Sequence, residues 1–349
     1  MALRVAIVGA GGAVGSTLLM HMLKSSVLNP GDEIILLGRG TPESNGRLYA
    51  TRMDLLDAFD EAAVRLTICA SIEHLCTDIV VIAAGQTISK NRRTRRDLAH
   101  ANLPLFERLA ERFRKSAGCP LFLVVSNPVE LAVAIFAAHL GPEKVIGIGA
   151  QQDSLRFARA IASQLGVHRS LVRASVLGEH GEAMVPMWSS VHLTVDDPES
   201  TSRLDALKAR YERTNIKEEA AMTRKRLEEL ISTHQLAEAY ELMEEIAPST
   251  RIMVEPFITQ SQIHSTPNAT ANATLEILSA AVVADGRRVH GQVQLSGQFH
   301  DIHGVCGIPL EVRLNGWQVS SQSQPTSAEI AELRASAGAI DAATKEWQR

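Results

Sequence analysis

Val5-Ala6-Ile7-Val8-Gly9-Ala10-Gly11-Gly12-Ala13-Val14-Gly15 stands near the N-terminus and decides how the rest of the chain is read. Four consecutive apolar residues suit a short strand buried on both faces, and the glycines after them allow a sharp backbone turn. Amphipathic spacing resumes over Val14–Val27, so the glycines lie between a predicted strand and a predicted helix. In that setting Gly9, Gly11, Gly12, Ala13, Val14 and Gly15 are expected to cradle a pyrophosphate. Missing side chains permit close approach, and the helix N-terminus offers N–H donors and positive dipole. Outside a strand–turn–helix setting the same glycines would carry little weight.

Working outward, further strands are expected at Glu33–Leu37, Arg65–Cys69, Ile79–Ala83, Leu121–Val125 and Val145–Ile148, with a helix at Leu98–Lys115. Near-continuous apolar strands alternating with helices predict an α/β fold, a Rossmann-type doubly wound parallel sheet, over residues 1–150. Residues 151–349 mix a helix (Ser154–Leu165), strands (Leu171–Val176, Gly291–Leu295, Ile308–Leu314) and a final helix from Ser327, which predicts a second, α+β catalytic domain. Residues 198–248 are charged, and Leu204, Leu207, Tyr211, Leu227, Leu230 and Ile231 recur at helical spacing. That stretch is expected to form two or more exposed helices, a surface elaboration or subunit contact rather than a lid.

The end of the second predicted strand bears on cofactor choice. Enzymes that use NAD usually place Asp or Glu there, to accept hydrogen bonds from the adenosine ribose. Here the strand runs into Gly38-Arg39-Gly40-Thr41, and Asp32 and Glu33 lie at its other end. With no carboxylate to repel a 2′-phosphate, and Arg39 able to offer a planar fork of donors, NADP is the expected cofactor, with NAD possible.

Length and composition fit this reading. The chain has 349 residues, 45% hydrophobic and 21% charged, enough for a real core. A net charge of -4 provides no basic field for nucleic acid. No uncharged apolar run reaches membrane-spanning length, and the N-terminus lacks signal-peptide features, so a cytoplasmic location without membrane association is expected. Cys69, Cys76, Cys119 and Cys306 have no metal-type spacing, and reduced, mostly buried thiols with no bound metal are expected.

Four motifs then carry a resemblance. Gly178-Glu179-His180-Gly181-Glu182, Asp153-Ser154-Leu155-Arg156, Ser126-Asn127-Pro128-Val129, and Thr94-Arg95-Arg96-Asp97-Leu98 with Asn102 are similar to motifs of the lactate/malate dehydrogenase family. The likeness runs along nearly the whole chain, and Gly38 resembles the NADP-dependent malate dehydrogenases, which also lack the acidic residue. The resemblance implies hydride transfer between a nicotinamide ring and C2 of a small 2-hydroxy or 2-keto acid. His180 would then exchange the proton, since imidazole can give and take one near neutral pH. Asp153 would fix the ring's tautomer, as the aspartate does in a serine-protease triad. Arg156 would hold the substrate carboxylate through two points, and Arg95 would polarise the C2 carbonyl when its loop closes. Asn127 would serve substrate and nicotinamide, and Asn102 the cofactor. A homodimer or homotetramer is expected on the same analogy.

The sequence departs from the family where substrate choice is set. The position that carries an arginine in malate enzymes falls on Ile88 or Ser89; Lys90, Arg92 or Arg93 could supply a charge instead. The opposite wall, Ser265-Thr266-Pro267-Asn268, is more polar than usual, and Thr266 is expected to touch substrate. Two other readings share the glycine loop. A metal-dependent glycosidase of the superfamily would need Cys and His ligands beside the nicotinamide. A non-catalytic redox sensor would have no use for the His180–Asp153–Arg156 set.

Overall fold

The computed structural model describes residues 2–87, 94–116, 118–211, 215–263, 265–322 and 324–348. In its first half β1 (Arg4–Val8), α1 (Ala13–Lys24), β2 (Glu33–Leu37), α2 (Pro42–Phe59), β3 (Arg65–Ile68), β4 (Ile79–Ile82), α3 (Arg95–Arg114), β5 (Leu121–Val124), α4 (Val129–Leu140) and β6 (Val145–Gly147) alternate. The six strands pair in parallel in the order β3-β2-β1-β4-β5-β6. Chain order reverses between β1 and β4, and ligands of open α/β sheets bind in the crevice at such a switch point. The inner strands are largely apolar on both faces because helices cover both: Ile7, Ile34 and Leu123 face one core, Ala6, Ile35 and Phe122 the other, whereas edge strand β3 exposes Arg65 and Thr67.

The second half contains α5 (Gly149–Leu165), β7 (Val172–Gly178), β8 (Met184–Leu193), α6 (Pro198–Tyr211), α7 (Ile216–Ser232), α8 (Leu236–Glu245), α9 (Pro248–Ile263), α10 (Pro267–Val283), β9 (Val289–Ser296), β10 (His303–Arg313), β11 (Gly316–Val319) and α11 (Ser327–Trp347). Its strands prolong the first sheet: β9 meets β6 antiparallel at Gly147↔Gln292, and β10, β7 and β8 follow. No helix among the described residues is long and apolar enough to cross a membrane.

Two expectations need correction. The 198–248 stretch is three helices: Leu204, Leu207 and Tyr211 of α6 join the core of α5, β7 and β8, whereas Leu227 and Leu230 of α7 and Met243 of α8 pack on Val254 and Ile258 of α9. It is more than decoration, because α7 carries side chains to the central cavity. The cysteines are not mostly buried: Cys306 is, Cys69 is half-buried, and Cys76 and Cys119 are exposed. The two exposed thiols lie in the loops that precede β4 and β5.

Candidate active site

The glycine loop has the shape a dinucleotide requires. Gly9 turns with φ +91°, and a Cβ there would lie 2.8 Å from the backbone of Ala83 and Ala84. A Cβ on Gly15 would overlap the Gly9 carbonyl, so α1 packs on the loop only without side chains. The N-cap of α1, Gly12, contributes no side-chain cap, which leaves the first-turn N–H groups available to phosphate oxygens. Arg47 of α2, not foreseen from the sequence, lays its Cδ 3.7 Å from where a Cβ on Gly11 would stand.

At the end of β2, Gly38, Arg39 and Gly40 are exposed. A Cβ on Gly38 would lie 2.5 Å from Ser44 Oγ and 3.0 Å from Leu48 Cδ1. The Ser44 hydroxyl accepts a hydrogen bond from Arg39 N at 3.0 Å, and so fills the space a longer side chain would need.

Beyond the loop, a cavity of about 750 Å³ runs from Val14, Gly85 and Asn127 to Asp153, Arg156 and His180. The histidine sits on the turn between β7 and β8, with Nδ1 2.6 Å from Asp153 Oδ2. Asp153 is fully buried on α5, and its Oδ1 accepts from Arg156 Nη1 at 2.9 Å. Burial alone would raise this carboxyl, but His180 and Arg156 outweigh it and hold Asp153 below the ordinary range. The three-residue spacing on one helix puts both side chains on the same face. Arg156 Nη2 reaches Thr266 Oγ1 at 3.3 Å, and Gln152 Nε2 reaches the same oxygen at 3.0 Å. Among the described residues the His180 Nε2 makes no hydrogen bond, and the ring faces the cavity.

Arg95, whose expected role needs its loop closed, is held by protein groups here. Its Nη2 pairs with Glu130 Oε2 at 2.8 Å, its Nη1 with Glu179 Oε1 at 3.2 Å, and Nη1 also donates to the His180 carbonyl. The two carboxylates keep its guanidinium protonated despite burial. Glu130, one residue beyond the Asn-Pro-Val motif, went unassigned in the sequence; it is buried, and its Oε1 accepts from His180 N at 2.6 Å. Burial, followed by the charge of Glu179, raises its carboxyl against the opposing pull of Arg95. Arg95 thus lies on the cavity wall, but its donors point to protein.

Asn102, expected at the cofactor, is instead fully buried and absent from the cavity wall. Its Oδ1 accepts from Gln86 N, and its Nδ2 donates to the carbonyls of Gln86 and Asn127. With its amide consumed by backbone, Asn102 holds the Asn127 turn in place. Asn127 itself is exposed to the cavity. Ser89, together with Ile88, Lys90, Arg92 and Arg93, lies outside the described residues. Among the described residues no three or more His, Cys, Asp or Glu side chains converge as a metal site would require.

A parallel nucleotide-type sheet whose crevice opens onto a His–Asp–Arg cavity defines a dinucleotide-binding α/β protein with a second, substrate-facing half. More narrowly, the chain belongs to the lactate/malate dehydrogenase family: the NAD binding domain model matches residues 3–147, and the alpha/beta C-terminal domain model residues 151–346. It is 32% identical to an L-2-hydroxycarboxylate dehydrogenase (NAD(P)(+)) of Methanocaldococcus jannaschii, over 55% of this chain and 61% of that one, so the match spans under two thirds of that relative. A malate dehydrogenase of Trichormus variabilis is 28% identical over 99% of this chain and 94% of its own. Among solved structures, the malate dehydrogenase of Aeropyrum pernix shares the fold, with TM-score 0.76 and 21% identity over 98% of this chain and 97% of that one.

Proposed function

We propose that this chain is an NADP-preferring oxidoreductase that interconverts a small 2-hydroxy acid and the matching 2-keto acid. Residues 1–150 would hold the dinucleotide, and residues 151–349 the substrate. The observation that carries the reading is the division of Asp153 between His180 and Arg156, with both partners facing one cavity. When bound, the nicotinamide supplies or accepts the hydride. Everything else falls to side chains.

In reduction, the new alkoxide at C2 takes a proton from His180 Nε2. Asp153 holds the other ring nitrogen, so one tautomer faces substrate and the imidazolium is stabilised. The Arg156 guanidinium binds the substrate carboxylate in two-point fashion, and Thr266 and Gln152 fix its plane. Asn127 orients substrate beside the cofactor. For Arg95 to reach the C2 oxygen it must leave Glu130 and Glu179, so its part belongs to a closed state of the site.

NADP preference is supported by Gly38 with Ser44 packed against it, which leaves no carboxylate for the ribose, and by exposed Arg39 and Arg47 beside the nucleotide path. The same reading has the enzyme cytoplasmic and a homodimer or homotetramer. Exposed Tyr49 and Met53, one turn apart on α2, offer an apolar face for self-association, which light scattering would measure. The test of function is a spectrophotometric screen of 2-keto acids with NADPH and with NADH. Turnover of at least one acid, faster with NADPH, is expected; failure of every acid with both cofactors would overturn the reading.

A further inference from the structure

Of the three arginines on the described cavity wall, two are held by buried carboxylates. Arg95 has Glu130, whose side chain is 2% exposed, and Arg156 has Asp153, 1% exposed. The third, Arg224, comes from α7 and pairs through Nη1 with Glu182 Oε1 at 2.9 Å, and that carboxylate is 76% exposed. An ion pair open to water holds its partners only weakly, because solvent screens it and both side chains lose freedom. Arg224 Nε is buried and has no hydrogen-bond partner among the described residues. Arg224 therefore brings to the cavity a weakly held charge on a planar group that suits a carboxylate.

The local fold explains why it points there. On α7, Ala220, Thr223, Leu227 and Leu230 form the buried face that seats the helix on α9. Arg224 and Glu228 follow Thr223 and Leu227 by one residue, on the shoulder beside that face, and both line the cavity. Asn215 caps the helix start by accepting from Glu218 N. Around Arg224 the cavity also presents Met184, Ile252, Met253 and Phe257, an apolar wall that fits a hydrocarbon spacer.

Building on the dehydrogenase reading, we infer that Arg224 is a specificity-determining residue that binds the distal anionic group of the substrate. The substrate class is then 2-keto acids with a second carboxylate, the C1 carboxylate on Arg156 and the distal one on Arg224. On binding, the substrate carboxylate replaces Glu182 at Nη1.

The experiment compares kcat/KM for oxaloacetate, 2-oxoglutarate and 2-oxoadipate with that for neutral-tailed acids of matching length, in wild type, Arg224→Met, Arg224→Lys and Glu182→Gln, all with saturating NADPH. Wild type is expected to favour at least one dicarboxylate over its neutral partner by tenfold or more. Arg224→Met should erase that ratio, mainly through KM, and Arg224→Lys should restore part of it. Glu182→Gln, which removes the competing carboxylate, should lower the KM of the favoured dicarboxylate. A wild type that prefers neutral tails overturns the inference, as does an Arg224→Met ratio equal to wild type. Both outcomes leave the dehydrogenase reading standing. Absence of turnover with every acid overturns both.

Discussion

Gly149 and His180 pack so closely that a Cβ on the glycine would lie 2.5 Å from the histidine Cβ and 2.6 Å from its Cγ. The first residue of α5 is therefore the backstop of the imidazole, and α5 also carries the Asp153 that orients it. Gly149→Ala cannot fit unless His180 or the helix shifts. A drop of at least about tenfold in kcat is expected, with a stability loss of about 1–3 kcal/mol, typical of overpacking. NADPH affinity, read by fluorescence titration, should change little. Near-normal kcat in a folded Gly149→Ala protein would show that the ring has freedom the packing denies it.

His180→Asn removes the proposed proton donor but keeps a polar side chain of similar reach. Turnover should fall by at least about a hundredfold, the lower range for general acid catalysis, with NADPH binding nearly intact. The check is steady-state kinetics beside a cofactor titration, and retained turnover would remove the assignment.

Much of this was legible in the sequence. The parallel strands fell within about a residue of their expected limits because most are short apolar runs ended by a turn former, a local signal. Other elements gave no such contrast. In α4 Val129–Val133 and Ile135–Ala137 are all buried, so there is no polar face to reveal a helical period. Only Leu48 and Leu55 are buried in α2, too sparse a stripe to mark it. The register shift between Arg173 and Ser175, where β7 pairs with β8, breaks the alternation that would expose β8. At the site, His180, Asp153 and Arg156 were readable because motif order implied them. Glu130 beneath His180, Asn102 turned inward and Arg224 reaching over from α7 depend on tertiary neighbours, to which no local pattern points.

Arg156→Lys tests the carboxylate fork. The guanidinium spans Asp153 Oδ1 and Thr266 Oγ1, and a single ammonium cannot keep both contacts while meeting substrate. kcat/KM should fall for every 2-keto acid the enzyme accepts, since all share the C1 carboxylate. A loss confined to one acid would mean that Arg156 reads the variable end.

His290 gives the fold a pH dependence of its own. The ring is buried between Gln151 Oε1 and Ser175 Oγ, at 3.2 and 2.8 Å. Burial, with the nearby charge of Arg288, pushes its pKa down to about 3. An unfolded histidine titrates near 6.5, so between these values the unfolded chain binds a proton that the folded one does not. Stability contributed by the neutral ring is complete above about pH 6.5 and is lost as pH falls, by about 2 kcal/mol at pH 5. His290→Asn should be less stable than wild type at pH 7.5, and the gap should narrow by about that amount at pH 5, measured by urea unfolding. An unchanged gap would mean the ring accepts a proton in the fold.

If cofactor preference turns on Gly38, as proposed, one substitution there is not enough, because Ser44 and Leu48 crowd it. Wild type should favour NADPH over NADH in kcat/KM by at least about tenfold, which requires only about 1.4 kcal/mol of discrimination. One arginine–phosphate contact and the absence of a repelling carboxylate can supply that. Gly38→Asp alone drives its Cβ into Ser44 Oγ, which is 2.5 Å away and bonded to Arg39 N. That single variant should lose activity with both cofactors. Adding Ser44→Gly opens the space, and adding Arg39→Ile removes the fork. The triple variant should then prefer NADH, with its new carboxylate on the ribose hydroxyls and set against any 2′-phosphate. His180 and Arg156 lie in the cavity beyond the glycine loop, so kcat at saturating preferred cofactor should stay within a few fold of wild type. A wild-type enzyme that already prefers NADH sinks the idea, because Arg39 would then be a solvated side chain and Gly38 a mere concession to Ser44.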